Sequence, residues 1–396
     1  MGNELFNQTK EQRPYLVELR REFHRNAEPG FKEYKTASRI EAELSGMGIE
    51  SRRVGETGIW GTIRGTRKDG QGGEKIIVLR ADIDALPIQD EKDEAYRSQN
   101  PGVMHACGHD AHAAGLLCAA KILKALEKRF SGEVRLVFQQ AEELGGGARQ
   151  FIKAGVLEGA GRVLGVHMAS DLPVGKIGIK PGVNNASVDY FKISVQGKSA
   201  HVSTPHLGSD ALYAASQIVV GLQGIVTRRV SPVDTVLIGV GVLRAGTAYN
   251  IVAEIAELEG TLRTVSAALR ESIKTKIEEL ASHYAAVSGV AVSFEWKDFA
   301  SPLINDSAVA SEIADVAQGF AGEANVIRDR PLSLGGDDFA EFLRELPGAY
   351  AYIGSANSAK PNTTLPHHNC RFDIDEDALV YAAGLYAEYA RRYLDF

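Results

Sequence analysis

The 396-residue chain has only three cysteines, which excludes a disulfide framework. It has no long hydrophobic run: no stretch approaches the roughly 18 uncharged apolar residues of a membrane-spanning helix. It has no excess of positive charge either, since 44 Lys and Arg stand against 51 Asp and Glu, a formal net charge of −7. The basic face that a nucleic-acid or anionic-membrane binder needs is therefore missing. The opening residues Met-Gly-Asn-Glu-Leu-Phe are polar where a secretory signal is apolar, and they lack the Ser or Thr of a myristoylation site. These absences predict a cytoplasmic protein with no nucleic-acid or membrane partner. Internal repeats and low-complexity tracts are also missing. What remains is ordinary for a globular chain, 44% hydrophobic and 24% charged. It is long enough to bury a large core in roughly two or three domains.

Apolar spacing alternates between the two regular periods. Helical spacing covers 10–28 and 36–47, short strand-like runs follow at 59–63 and 76–79, and a helix is predicted over 113–129. Strand 133–139 is apolar without alternation, as in a sheet covered on both faces. A helix at 148–154 and a strand at 162–167 repeat the unit. Strand–helix alternation of this kind predicts an α/β fold with a mixed, mostly parallel sheet and helices on both faces.

Near residue 180 the texture changes. Residues 188–196 alternate with period two, and strands at 235–243, 251–261 and 290–296 frame helices at 209–226 and 267–286. That β-α-β-β-α-β order predicts an inserted ferredoxin-like domain. The expected division is 1–186 and 300–396 for the two parts of a catalytic domain, with 187–299 as an inserted lid or dimerisation domain. The second catalytic part carries helix 308–320, strand 349–353 and a helix near 376–393.

Histidine is scarce, with ten in the chain, yet three of them fall with a cysteine inside residues 104–112. Cys107 and His109 put a thiol and an imidazole two residues apart at a strand-to-helix turn, a ligand pair that suits zinc and its neighbours. Glu142 and Glu143 end a predicted strand before a glycine-rich turn, where open α/β sheets place their sites. One can bind metal while the other faces substrate as a general base. His167 closes another apolar strand, and His367 and His368 occupy a proline-led loop. Cys107, His109, Glu143, His167 and one of His367 or His368 make five ligands. That exceeds a closed tetrahedral site and suits two metals held close together.

Ten segments in order along nearly the whole chain carry a resemblance. Among them are Arg-Ala-Asp-Ile-Asp (80–84), His-Ala-Cys-Gly-His-Asp-Ala-His (105–112), Phe-Gln-Gln-Ala-Glu-Glu (138–143), Gly-Lys-Ser-Ala-His (197–201) and His-His-Asn-Cys-Arg-Phe-Asp-Ile-Asp-Glu (367–376). The sequence resembles the co-catalytic metallopeptidase and aminoacylase superfamily. Within it, the sequence is most similar to the amidohydrolase branch of hippurate, auxin-conjugate and p-aminobenzoyl-glutamate hydrolases. The resemblance implies that Cys107, His109, Glu143, His167 and His368 are metal ligands. His368 is favoured over His367 because its spacing to Phe372 matches the family's His-x-x-x-Phe pattern. It implies Glu142 as general base, Asp82 as support for the metal site, and His201 as an oxyanion-stabilising residue that closes over a partner subunit's site. Asn250 and Arg263 match positions that bind the substrate carboxylate. Two divalent ions per chain are implied, manganese or zinc first and cobalt or nickel after them, in a homodimer or larger homo-oligomer.

Departures from the family pattern include Gln140 in place of a proline, Gly-Gly-Asp-Asp at 335–338, and Cys370 where proline is common. None removes an expected ligand. The expected reaction is hydrolysis of the C–N amide bond in an N-acyl or N-aroyl amino acid or a similar small carboxylate-bearing conjugate. The rivals are hydrolysis of another C–N bond such as an aromatic amine, a dipeptidase, and a non-catalytic binding protein.

Overall fold

The computed structural model describes residues 4–67 and 75–396. The first three residues, read above for targeting signals, lie outside it. In chain order the helices are α1 (Glu4–Glu11), α2 (Arg13–Arg25), α3 (Tyr34–Gly46), α4 (His109–Ala125), α5 (Gly147–Lys153), α6 (Ala211–Arg228), α7 (Ala267–Ser288), α8 (Ser307–Ala321), α9 (Ala340–Glu345) and α10 (Ala378–Leu394). The strands begin with β1 (Glu50–Val54), β2 (Gly58–Arg64), β3 (Ile76–Asp82), β4 (Glu133–Gln139), β5 (Arg162–Pro173), β6 (Ile177–Gly178) and β7 (Gly182–Asn185). They continue with β8 (Val188–Gln196), β9 (Val236–Ala245), β10 (Ile255–Thr264), β11 (Ala291–Ala300), β12 (Leu303–Asn305), β13 (Val326–Ile327) and β14 (Gly348–Ala356).

The chain forms two compact units: residues 1–184, 304–331 and 337–396, and residues 185–303 with 332–336. The first unit is built on an eight-stranded sheet of order β1-β2-β4-β3-β5-β14-β6-β13. Its middle strands β4, β3, β5 and β14 run parallel, while β1 and β2 pair antiparallel at one end. The sheet is therefore mixed and mostly parallel at its centre. Strands β3 and β4 are buried along nearly their whole length, which explains why their sequences are continuous apolar runs rather than alternations. Helix α4 is buried on every face from His109 to Ala120, as a helix apolar all round must be. It packs against α10, where a Cβ on Gly115 would stand 3.2 Å from that of Ala382. The connection from β3 goes to β4 on one side, and β5 lies on its other side. This reversal opens a crevice at the carboxyl ends of β3, β4 and β5.

The second unit is a four-stranded antiparallel sheet of order β11-β8-β10-β9. Helices α6 and α7 bury Ile218, Leu222, Ile273 and Ile277 against Phe191, Ile193 and Leu258. Strand β8 alternates between half-buried and buried residues, the pattern of a sheet with one wet face.

The structure corrects several element boundaries. The helix read over 10–28 is two helices, α1 and α2, which meet at Gln12 with Pro14 at the start of the second, a position that suits proline's missing N–H. Helix α4 begins at His109 rather than 113, so that histidine is a first-turn residue and not part of a preceding loop. Strand β5 runs on to Pro173, because β14 pairs with it well beyond His167.

Candidate metal centre

Strand β3 ends at Asp82 and the residues just past it deliver Asp84, the turn into α4 and its first residue deliver Cys107 and His109, and the turn after β4 delivers Glu142 and Glu143. Strand β5 carries His167, and the loop between β14 and α10 carries His367 and His368. Local backbone geometry aims these groups. Gly108 has φ +89° and turns the chain so that Cys107 and His109 flank it. Ala141 has φ +51°, a left-handed conformation that costs a residue with a Cβ about 1 kcal/mol. Glu33 holds it there by accepting the Ala141 N–H at 2.9 Å. His368 is also left-handed, with φ +66°.

The Cys107 thiol is shared by two groups of donors. With His109 and His167 it forms one triad whose ligand atoms all lie within 4.8 Å, and with Glu143 and His368 it forms a second. His167 Nε2 lies 3.4 Å from Cys107 Sγ, and His368 Nε2 lies 3.4 Å from Glu143 Oε1. His367 joins neither triad. Its Nδ1 is 3.6 Å from Cys107 Sγ, and its ring rests on Phe372, with centroids 4.8 Å apart.

Hydrogen bonds orient the imidazoles. His109 Nδ1 donates to the Asp84 carbonyl at 2.9 Å, and His167 Nδ1 donates to the Met168 carbonyl at 2.6 Å. Each ring then turns an Nε2 lone pair inward, the tautomer a metal ligand needs. His109 Nε2 is buried without a hydrogen-bond partner among the described residues, which is costly unless a cation meets it.

The electrostatics agree. Burial and Glu143 push the Cys107 thiol up. Burial alone would lower His109, but Asp82, Asp84 and Cys107 hold it well above the usual imidazole range. Hydrogen bonds to Cys107 and Glu143 push His368 up to about 10. Burial, then His112 and His367, keep His167 neutral. Thiol and carboxylates thus draw positive charge onto their neighbours, and a divalent cation meets the same demand. Sulfur, imidazole and carboxylate together fit zinc, manganese or cobalt.

Glu142 lies beside His109 and Glu143, and its carboxyl accepts no hydrogen bond among the described residues. Burial, then Asp337, Glu143 and Asp338, push its carboxyl well above the ordinary range. Behind it, the fully buried Arg80 bonds to Gln139 at 2.9 Å, Asp82 at 2.7 Å, and Asp337 and Asp338 at 3.1 Å each. Burial raises Asp338 to about 7.

Sequence reasoning named Asp82 as support. The structure places it 2.5 Å from His112 Nδ1 and 3.7 Å from His109 Nε2. Two residues with comparable contacts were missed. Asp84 accepts the Glu143 N–H at 3.0 Å as well as bonding His109. His112 accepts the Met168 N–H at 2.8 Å. Both lie inside quoted motifs, two residues past Asp82 and three past His109, so proximity in sequence was the available signal.

His201, Asn250 and Arg263 belong to the second unit. His201 Nδ1 bonds Ser203 Oγ at 2.7 Å, and the Asn250 carbonyl accepts the Val202 N–H at 3.1 Å, so these two segments adjoin. Arg263 donates to the Leu334 carbonyl at 2.9 Å and to Thr261 Oγ1 at 3.2 Å, and among the described residues no carboxylate hydrogen-bonds to it. Cys370 lies against Glu91 at 3.3 Å.

Comparisons with known proteins agree with this picture. Residues 78–392 match the family described as peptidase family M20/M25/M40. The chain is 36% identical over 403 residues to an N-acetyl-L-cysteine deacetylase of Bacillus subtilis, covering all of this chain and 94% of the relative. It is 36% identical to an IAA-amino acid hydrolase of Arabidopsis thaliana, covering 96% of this chain and 86% of the relative. The crystal structure of a dinuclear metal-binding peptidase from Bacillus subtilis superimposes with a TM-score of 0.82 at 33% identity, covering 98% of this chain and 99% of that one.

Proposed function

We propose, because this chain belongs to peptidase family M20/M25/M40 and is a metal-dependent amide hydrolase, that it cleaves N-acyl or N-aroyl amino acids or similar carboxylate-bearing conjugates. The observation that carries the reading is the pair of donor triads sharing Cys107, with the Glu142 carboxyl, free of hydrogen bonds among the described residues, beside them. Cys107, His109, Glu143, His167 and His368 hold two divalent ions, manganese or zinc first. Bound there, the ions supply Lewis-acid polarisation of the scissile carbonyl and acidify water. Glu142 takes a proton from the attacking water. Carbon–oxygen bond formation opens the carbonyl to a tetrahedral oxyanion, which His201 stabilises by hydrogen bonding. Glu142 then returns the proton to the amide nitrogen as the C–N bond breaks, releasing a carboxylic acid and an amine.

Arg263, short of a carboxylate partner, and Asn250 bind the substrate carboxylate. Phe31 and Leu144, 39% and 58% exposed beside the Glu142–Glu143 turn, offer apolar surface to the acyl group. The second unit exposes Leu207, Tyr213, Val220 and Tyr249, apolar surface that a homodimer in which His201 serves the neighbouring site could cover. Three unpaired thiols suit a reducing compartment such as the cytoplasm.

The test strips the protein of metal and reloads it with zinc, manganese or cobalt. It is then assayed against hippurate-like, indole-acetyl and p-aminobenzoyl-glutamate amides. Turnover that requires about two metals per chain supports the reading. Metal binding with turnover only of dipeptides or aromatic amines would move the reaction to a rival class. Failure to bind metal would overturn the site.

A further inference from the structure

Two segments that carry expected ligands come from distant parts of the chain: His109 opens α4, and His368 lies in the loop before α10. Each is followed by a buried aspartate, Asp110 and Asp373, and one guanidinium holds both. Arg20, 1% exposed, donates from Nε to Asp110 at 2.8 Å and from Nη2 to Asp373 at 2.6 Å. Glu376 lies 3.5 Å from its third nitrogen. Neighbours fix the carboxylates further: His24 Nδ1 meets Asp110 at 2.7 Å, and the Tyr96 hydroxyl donates to Asp373 at 2.6 Å.

His368 occupies a left-handed backbone conformation that an L-residue holds only when its surroundings enforce it. Its own N–H reaches the Ala106 carbonyl at 2.9 Å, and the Glu91 N–H reaches the Cys370 carbonyl at 2.9 Å. Those ties fix the near side of the loop, and Arg20 fixes the far side. The planar fork of arginine spans two carboxylates at a set separation, which the point charge of lysine cannot do.

We propose that Arg20 is a positioning residue for the metal centre. By bridging Asp110 and Asp373 it sets the distance between the His109 and His368 segments, and its loss weakens the metal held through His368 more than the metal held through His109. The proposal rests on the ligand assignment made above. A buried ion pair broken on one side destabilises any protein, so the readout must be metal rather than activity or stability alone.

The experiment uses the full-length protein and Arg20→Lys, with Arg270→Lys as control. Arg270 makes another buried pair with Asp189 in the second unit, at 2.7 Å. Metal content per chain is measured across a range of free zinc, together with the visible absorption of the cobalt-loaded protein and urea denaturation. The expected result is that Arg20→Lys keeps one metal but binds the second at least roughly tenfold more weakly, with an altered cobalt spectrum. Arg270→Lys should lower only the urea midpoint. If Arg20→Lys does not fold, Tyr96→Phe, which removes one hydrogen bond from Asp373, is expected to weaken the same metal severalfold. Unchanged metal affinity and spectrum in the folded Arg20 variant, or in Tyr96→Phe where it replaces that variant, overturn the proposal. Absence of metal from the wild-type protein would instead overturn the ligand assignment.

Discussion

At the scale of single residues, the proposed reading has the centre separate groups that hold metal from the one group that moves a proton. Glu142 and Glu143 are neighbours, yet burial raises the first, while His368 and His109 outweigh burial and lower the second. A raised carboxyl accepts and returns a proton near neutral pH, and a lowered one stays anionic as a ligand. Glu142→Gln should therefore retain both metals and lose about a hundredfold or more in kcat, checked by metal analysis alongside steady-state kinetics. Asp84 holds the opposite role, since its side chain and carbonyl brace two ligands and touch no substrate atom on this reading. Asp84→Ala should weaken metal binding by roughly ten- to a hundredfold, and excess metal should restore much of the turnover. A competitive chelator titration measures the first, and activity at rising metal concentration the second.

At the scale of elements, the turn between β4 and α5 positions the base. Residues 141–146 reverse the chain within a few residues, using left-handed conformations at Ala141 and Gly145. Helix α5 then begins so close to β4 that a Cβ on Gly147 would stand 1.7 Å from the Gln140 carbonyl oxygen. Backbone cannot yield by that much, so Gly147→Ala should displace the Glu142–Glu143 turn. The expected outcome is a clear fall in Tm, together with loss of turnover and of metal, rather than either alone. Gln140, where the family usually has proline, bonds the Val54 carbonyl at 3.2 Å and the Gln150 side chain at 2.9 Å. It thus ties the turn to β1 and α5, a role proline's side chain has no atoms to fill.

At the scale of the whole molecule, two behaviours follow from charge and from assembly. Burial pushes Asp373 and Asp90 up, but Arg20 on the first and a His24 hydrogen bond on the second more than offset it, so both lie below the ordinary carboxylate range. A folded-state value below the unfolded value of about 4 contributes stability that is complete above pH 4. It is lost as pH falls from there through the folded values. Denaturation midpoints followed from pH 7 down to pH 3 should hold until about pH 4 to 5 for these groups and then drop. Tyr96→Phe, which brings the folded Asp373 value closer to the unfolded one, should make the drop smaller and let it level off at a higher pH, with its onset unchanged. For assembly, mixing inactive Glu142→Gln and His201→Ala chains should restore roughly a quarter of wild-type activity if His201 acts across a two-fold interface, and none if it acts within its own chain.

The α/β alternation, the inserted β-α-β-β-α-β block and the family were all legible in the amino-acid sequence. Periodicity and motif order are local properties, and Val-Leu-Phe runs such as 134–138 record burial directly. The sequence also brought forward Cys107, His109, Glu143 and His167, because thiol, imidazole and acid at strand ends have few other uses. The family's His-x-x-x-Phe spacing already favoured His368 over His367, and the tertiary structure adds the geometry: His368 groups with Cys107 and Glu143, while the ring of His367 rests on Phe372. Only the tertiary structure showed Asp84 bracing two ligands, Arg80 among four partners, and Arg20 spanning residues 110 and 373. Those contacts join positions far apart along the chain, and they exist only where packing brings them together and burial removes the water that would otherwise satisfy each charge.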